Sequence, residues 1–180
     1  LDRSKVIVAT KFGSYKHPET GYFRDGSVKT LREGLEGSLR RLGVDYIDLY
    51  QCHWPCPNVP IEETFSEIEK MRREGKIRYI GVSNFSPAEM DEASKYCELT
   101  SLQPPYSLLD RPFEKELEGY CLEKGMGVLS YGSIGAGILT GKYKERPVFP
   151  KGDTRNENGF YKNCYSEENW PKVSALVHVL

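Results

Sequence analysis

Six side chains able to form polar contacts stand at the ends of five short apolar runs. Lys11 follows Val6-Ile7-Val8-Ala9-Thr10, and His53 follows the run Tyr46-Ile47-Asp48-Leu49-Tyr50. Ser83 and Asn84 follow Ile77-Arg78-Tyr79-Ile80-Gly81-Val82, Gln103 closes Ser101-Leu102-Gln103, and Tyr131 closes Gly127-Val128-Leu129-Ser130-Tyr131. These are hydrogen-bonding groups, and two of them transfer protons readily. Singly, each has a bland explanation. A lysine after a strand is usually just solvated. A histidine ahead of Trp54-Pro55 is more often structural, Gln103 could simply cap a strand end, and Tyr131 could be core. A structural sheet, however, has no reason to end five successive strands in polar groups.

The spacing between the runs predicts what positions them. Ser27 can cap a helix whose apolar positions are Leu31, Leu35, Leu39 and Leu42, one stripe on one face. Pro60 suits the first turn of a second helix, buried through Ile61, Phe65, Ile68 and Met71 and ended by Gly75. Ser86-Pro87-Ala88-Glu89 reads as a capping box whose helix reaches about Cys97. A fourth helix spans about Phe113 to Lys124, ended by Gly125. Residues 147–170 are rich in Pro, Gly, Asn, Lys and Glu and read as a long loop, with a last helix from Pro171 to Leu180. Strands alternating with helices at this spacing signal βαβ units and a parallel sheet. A Rossmann sheet would show G-x-G-x-x-G after its first strand; Lys11-Phe12-Gly13-Ser14 stands there instead. A (β/α)₈ TIM barrel, present as a portion with about five parallel strands in one partial domain over residues 1–180, fits better, and such barrels do their chemistry at the C-terminal strand ends.

Composition narrows the partners. A net charge of -1, with Lys and Glu mixed throughout, gives no electrostatic reason to expect nucleic acid or a membrane surface. No apolar run approaches the roughly 18 residues of a membrane helix. The polar start Leu1-Asp2-Arg3-Ser4-Lys5 reads as neither a signal peptide nor a natural start. Five cysteines, odd in number and irregularly spaced, argue against a disulfide framework and fit a reducing cytoplasm. Cys52-His53-Trp54-Pro55-Cys56 clusters three potential metal ligands, yet no second pair stands at the distance a tetrahedral zinc site wants, so no metal is expected. Cys52 alternates with His53 and should face the layer between sheet and helices.

At this point the runs resemble a known family. Val8-Ala9-Thr10-Lys11, Asp45 through Trp54, Gly75 through Phe85, Gln103-Pro104-Pro105-Tyr106-Ser107, and Leu129-Ser130-Tyr131 through Gly137-Ile138-Leu139-Thr140-Gly141-Lys142-Tyr143 are similar, in order and spacing, to the aldo-keto reductases. The resemblance implies an oxidoreductase that moves a hydride from NADPH to an aldehyde or ketone. It implies that Lys11 lowers the pKa of a proton-donating tyrosine and that His53 orients the carbonyl oxygen. It implies that Ser83, Asn84 and Gln103 hold the nicotinamide carboxamide while Tyr131 stacks on its ring. Residues 135–142, with Gly137, Leu139, Gly141 and Lys142, match the loop near the coenzyme pyrophosphate; alone, Gly-x-Gly-x-x-x-Gly would read as a flexible turn. Trp54 would line the substrate pocket, and Tyr15, His17, Tyr22, Phe23, Phe160 and Tyr161 would either join it or pack their loops.

The family's aspartate and tyrosine belong to a D-x-A-x-x-Y segment ahead of the lysine strand. The expectation is that the 180 residues lack such a segment, as they lack the region binding the adenosine 2′-phosphate. By themselves they should then be catalytically incomplete. A second class of function stays open, because the family includes potassium-channel β-subunits that hold the coenzyme as regulatory partners; a non-enzymatic fragment is the third. An open five-strand piece has unpaired edges that invite association with other chains. The 180-residue polypeptide is therefore expected to aggregate, to form an intermolecular sheet or to be completed by another fragment, and a soluble monomer in light scattering with a single cooperative thermal transition would refute this.

Overall fold

The computed structural model describes residues 2–17, 19 and 21–179. The side chains of His17 and Phe160, and Leu180 at the end of the predicted last helix, lie outside the described residues. The chain divides into two compact units, residues 1–104 with 116–129, and residues 105–115 with 130–180.

In the first unit, β1 (Ala9–Phe12), β4 (Ile47–Cys52), β5 (Ile77–Ser83), β6 (Leu99–Gln103) and β7 (Gly127–Val128) form one parallel sheet in that order. Each new strand adds beside the last, which is the winding of a (β/α)₈ barrel rather than of a doubly wound sheet. The structure is thus a partial barrel. Between β1 and the first helix, a loop is expected; an antiparallel hairpin, β2 (Tyr15–His17) and β3 (Gly21–Phe23), occupies it. The first strand also begins later than its apolar run suggests. A 3-10 turn at Arg3–Lys5 precedes it, and the Val8 carbonyl accepts from the amides of Asp48 and Leu49.

Register sorts the strand residues into rows, and neighbouring rows point to opposite faces. One row aligns Phe12, Cys52, Val82 and Leu102, all at most 3% exposed. The row before it aligns Lys11, Gln51, Gly81 and Ser101 on the other face, and the row after it begins with Ser83 and Gln103. The apolar face is covered by α1 (Val28–Leu42), through Leu31 and Leu35, and by α2 (Ile61–Arg73), through Phe65, Ile68 and Met71. Full burial of each such side chain stabilises by roughly 1.5–3 kcal/mol. Leu42, expected on the buried stripe, is half exposed in the last turn of α1.

The predicted caps are present. Ser86 and Glu89 form a capping box on α3 (Pro87–Ala93), although that helix ends earlier than expected and gives way to turns before Cys97. Gly75, at φ 80, closes α2: its amide donates to the Arg72 carbonyl and that of Lys76 to Met71, the paired bonds of a Schellman motif. The expected fourth helix is split into a 3-10 turn at Pro112–Lys115 and α4 (Leu117–Lys124), and α4 joins α3 through Tyr120 and Lys124 to Asp91.

The second unit holds a 3-10 stretch at Gly135–Thr140, α5 (Thr154–Glu157), α6 (Gly159–Cys164) and α7 (Trp170–Val179). Residues 147–170, expected as a loop, carry two of these helices. Ile138, Cys164, Tyr165 and Val173 form its core, with Tyr143, Phe149 and Trp170 packed around Tyr165.

Charge is concentrated at the N-terminal end of the sheet. Asp48, 4% exposed, pairs with Arg3 at 2.6 Å and Arg78 at 3.1 Å and accepts the Val8 amide at 2.9 Å. Both guanidiniums also lie over the Tyr46 ring, at 4.3 and 4.0 Å. Burial opposes the charge of Asp48, but the Val8 amide and the two arginines outweigh it and hold the carboxyl below its ordinary pKa. That stability is present above a pH of about 4 and is lost as pH falls through the lowered value. Asp48→Asn should cost about 2–4 kcal/mol in urea unfolding and flatten the acid limb of the stability profile. A change below about 0.5 kcal/mol would count against this account of Asp48.

Candidate active site

The C-terminal strand ends of the first unit bring together Lys11, His53, Ser83, Asn84 and Gln103. Lys11 is the third residue of β1, level with Gln51, and the His53 amide donates to the Phe12 carbonyl at 2.9 Å. The Ser83 hydroxyl, 1% exposed, donates to the Gln103 carbonyl at 2.8 Å, tying β5 to β6. Asn84 donates its side-chain amide to the His53 carbonyl and the Ser83 hydroxyl, each at 3.0 Å. It does so at φ 62, a left-handed conformation that costs a non-glycine residue roughly 1–3 kcal/mol and recurs at functional sites. One network thus links the ends of three strands.

Two features at this rim are available for chemistry. Lys11 has no ion-pair partner among the described residues, and Gln103 spends no side-chain atom on a hydrogen bond among them. Burial, and then the Lys11 ammonium, lower the pKa of His53 from its ordinary 6.5, so the imidazole is neutral at pH 7. A neutral imidazole beside an uncompensated ammonium suits an oxygen that gains negative charge. Trp54 sits over the same rim, its ring 6.5 Å from that of His53, with the Arg24 guanidinium 4.5 Å from its centroid.

Some of the sequence-derived residues are placed differently. Tyr15 is fixed by loop packing, with its hydroxyl on the Thr30 carbonyl and its ring stacked on Phe23. Tyr22 is 77% exposed. Sequence reasoning also missed a layer beneath the rim. Gln51 and Ser101 are buried, and Gln51 Nε2 and Ser101 Oγ have no partner among the described residues. Gly81 lies between them; a side-chain carbon there would meet the Ser101 hydroxyl and come within 3.2 Å of Gln51 Cγ. The signal was present as parity: Gln51 stands two residues before His53, polar in an apolar strand.

The second unit carries the remaining residues. Tyr131 pairs with Pro105 in an isolated bridge, and its carbonyl accepts the Tyr106 amide at 3.2 Å. With Tyr106, Asp110, Asn158 and Tyr161 it lines a cleft of about 120 Å³. Gly135, Ala136 and Gly137 are all left-handed, which folds the glycine-rich stretch back on itself. The amides of Gly137 and Leu139 both donate to the Ile134 carbonyl, so in this conformation neither is open to a phosphate. Gly141 ends the stretch at φ 70, and the Lys142 ammonium lies 4.8 Å from the Tyr143 ring centroid.

The expectation that no D-x-A-x-x-Y string exists needs correction. Asp91-Glu92-Ala93-Ser94-Lys95-Tyr96 has that form. Its position rules it out as the proton donor. It lies on α3 and the turns before β6, at the N-terminal strand ends; Asp91 is held by Tyr120 and Lys124, and Tyr96 shares a surface groove with Glu69, Arg73 and Glu98.

Comparison with known proteins agrees with this architecture. The sequence profile of the Aldo/keto reductase family matches residues 1–179, and the chain belongs to that family of oxidoreductases. It is 43% identical to aldo-keto reductase YhdN of Bacillus subtilis over 97% of this chain and 52% of that protein. It is 36% identical to the aldo-keto reductase yakc [NADP(+)] of Schizosaccharomyces pombe, over 98% of this chain and 55% of the relative. It is likewise 36% identical to the NADH-specific methylglyoxal reductase of Escherichia coli, over 98% of this chain and 56% of the relative. The solved glycerol dehydrogenase AKR11B4 of Gluconobacter oxydans superposes with a TM-score of 0.88 at 38% identity, over 97% of this chain and 53% of that one. The chain spans about half the length of these relatives.

The electrostatic pairing at the rim has a direct check. Lys11→Met should raise the His53 pKa, followed by its imidazole proton resonances, while leaving it below 6.5 because burial remains. A native His53 that titrates above 6.5 would show that neither burial nor Lys11 acts as described.

Proposed function

We propose that these residues form the carbonyl-polarising and nicotinamide-holding part of an NADPH-dependent reductase of aldehydes or ketones. The observation that carries the reading is the pairing of a neutral His53 with a Lys11 ammonium that has no counter-ion among the described residues. A neutral imidazole N–H donates to the carbonyl oxygen of the substrate and holds it at the rim. The Lys11 charge stabilises the negative charge that gathers there and lowers the pKa of a neighbouring phenol that returns the proton. Trp54 supplies an apolar wall.

The coenzyme fits the first unit's residues. Gln103 offers a carboxamide whose donors and acceptors are unspent among the described residues, and Ser83 and Asn84 fix the backbone beside it. When bound, the nicotinamide supplies the hydride. In the second unit, taken by itself, Tyr131 offers a ring face and Lys142 a charge, while the amides of Gly137 and Leu139 are spent on the Ile134 carbonyl and Gly141 closes the stretch. The name of one relative points to NADP and that of another to NADH, so preference for the phosphorylated coenzyme is part of the proposal.

The proton donor is the deciding part. The 180 residues alone should consume no NADPH with a small aldehyde. The same residues joined to a D-x-A-x-x-Y segment ahead of Lys11, and to the strands and adenosine-binding region that complete the barrel, should turn over, and His53→Ala in that form should lower kcat by about 10²–10³. Turnover by the 180 residues alone would refute the need for a second segment. NADPH retained without turnover in the joined form would refute catalysis and leave a coenzyme-binding regulatory role.

A further inference from the structure

The cysteine pair that the metal reading leaves without a purpose converges in the fold. Cys52 is the last residue of β4 and is 2% exposed. Cys56 lies four residues on, half-buried in the loop. Both thiols donate to one acceptor, the Trp54 carbonyl, at 3.1 and 3.5 Å. Both also flank Gly13, where a side-chain carbon would stand 3.4 Å from Cys56 Sγ and 3.6 Å from Cys52 Sγ. At φ 84, Gly13 lets its turn pass close over the two sulfurs. Two sulfurs sharing neighbours on two sides are held together by the turn through His53, Trp54 and Pro55.

We infer that Cys52 and Cys56 are a peroxide-reactive dithiol that closes reversibly to a disulfide across the His53–Trp54 turn. The two thiols are unequal. Contact with the Cys52 thiol lowers the pKa of Cys56 from its ordinary 9.0 against burial and the Asp25 charge, which raise it, and Arg24 adds a smaller lowering. That same contact, with burial, pushes the Cys52 thiol well up. The thiolate is the nucleophile, so the reachable Cys56 attacks and the buried Cys52 resolves.

Electrons and atoms balance with a hydroperoxide as oxidant. Cys56 sulfur attacks a peroxide oxygen; the S–O bond forms, the O–O bond breaks, and the departing hydroxide takes up a proton as water. Cys52 sulfur then attacks the sulfenic sulfur; the S–S bond forms, the S–O bond breaks, and hydroxide leaves with the Cys52 proton as a second water. Two thiols are oxidised by two electrons and one peroxide is reduced. The ring so closed contains His53 and Trp54, so the state of the pair acts on the rim of the candidate site.

Trypsin places both residues in one peptide, 42–70, which contains no other cysteine. The protein is treated with equimolar hydrogen peroxide, its free thiols are alkylated, and it is digested. The expected peptide 42–70 is lighter by two hydrogens, unalkylated, and restored by dithiothreitol. Cys97, Cys121 and Cys164, all buried, should stay alkylatable after unfolding and act as internal controls. Cys52→Ser should trap Cys56 as a sulfenic acid captured by dimedone. Peptide 42–70 found alkylated at both cysteines overturns the inference. So does capture of Cys56 by dimedone in the native sequence to the same extent as in Cys52→Ser.

Discussion

Alternation of side chains along a β-strand is the constraint on which this molecule turns. In a parallel sheet the register carries alternation across every strand, so each row commits its residues to one face. The row Phe12, Cys52, Val82 and Leu102 is committed to the dry layer under α1 and α2. The rows on either side are committed to the barrel interior, where Lys11, Gln51, Ser83 and Gln103 stand. A slip of one residue would send Lys11 and Ser83 into the dry layer and bring Phe12 and Val82 to the rim. Core and candidate site are therefore two faces of one register, and neither can be altered without the other.

The two ends of the sheet treat charge in opposite ways. At the N-terminal end, buried Asp48 is surrounded by Arg3, Arg78 and the Val8 amide, and its charge is fully matched. At the C-terminal end Lys11 has no carboxylate beside it among the described residues, and His53 is kept neutral. A half-buried cation without a partner opposes folding, and such charges gather where a ligand or reacting group will complete them. This contrast also explains why Asp91 to Tyr96 is not the missing motif. Its form is right, but Asp91 is already matched by Lys124 and Tyr120 at the wrong end of the strands.

The legibility of the chain follows from the same physics. Strands, caps and the rim residues were readable because each is local: a period of two, a capping box at Ser86 and Glu89, a polar residue closing an apolar run. Non-local contacts were not. Val6 to Val8 look like strand, yet the Asp48 carboxylate takes the Val8 amide and strand pairing begins only at Ala9. The short helices between residues 154 and 164 were missed because the core they serve is built from Tyr143, Phe149, Tyr165 and Trp170, spaced with no helical period. Asn84 was found as a polar residue, but its left-handed backbone is set by its bonds to His53 and Ser83.

The segment from Cys52 to Cys56 shows how much one register can settle. Alternation puts Cys52 in the dry layer and sends His53 to the rim. The chain must then leave the sheet at once, and Pro55 helps it turn. The turn brings Cys56 back toward Cys52 and leaves the Trp54 carbonyl facing both thiols. Trp54 is thereby held over the rim, with Arg24 from the end of the hairpin on its ring. Rim histidine, aromatic wall and thiol pair are thus consequences of a single strand exit. A change in the bonding of the two sulfurs cannot stay local, because the residues between them are the ones that face the candidate site.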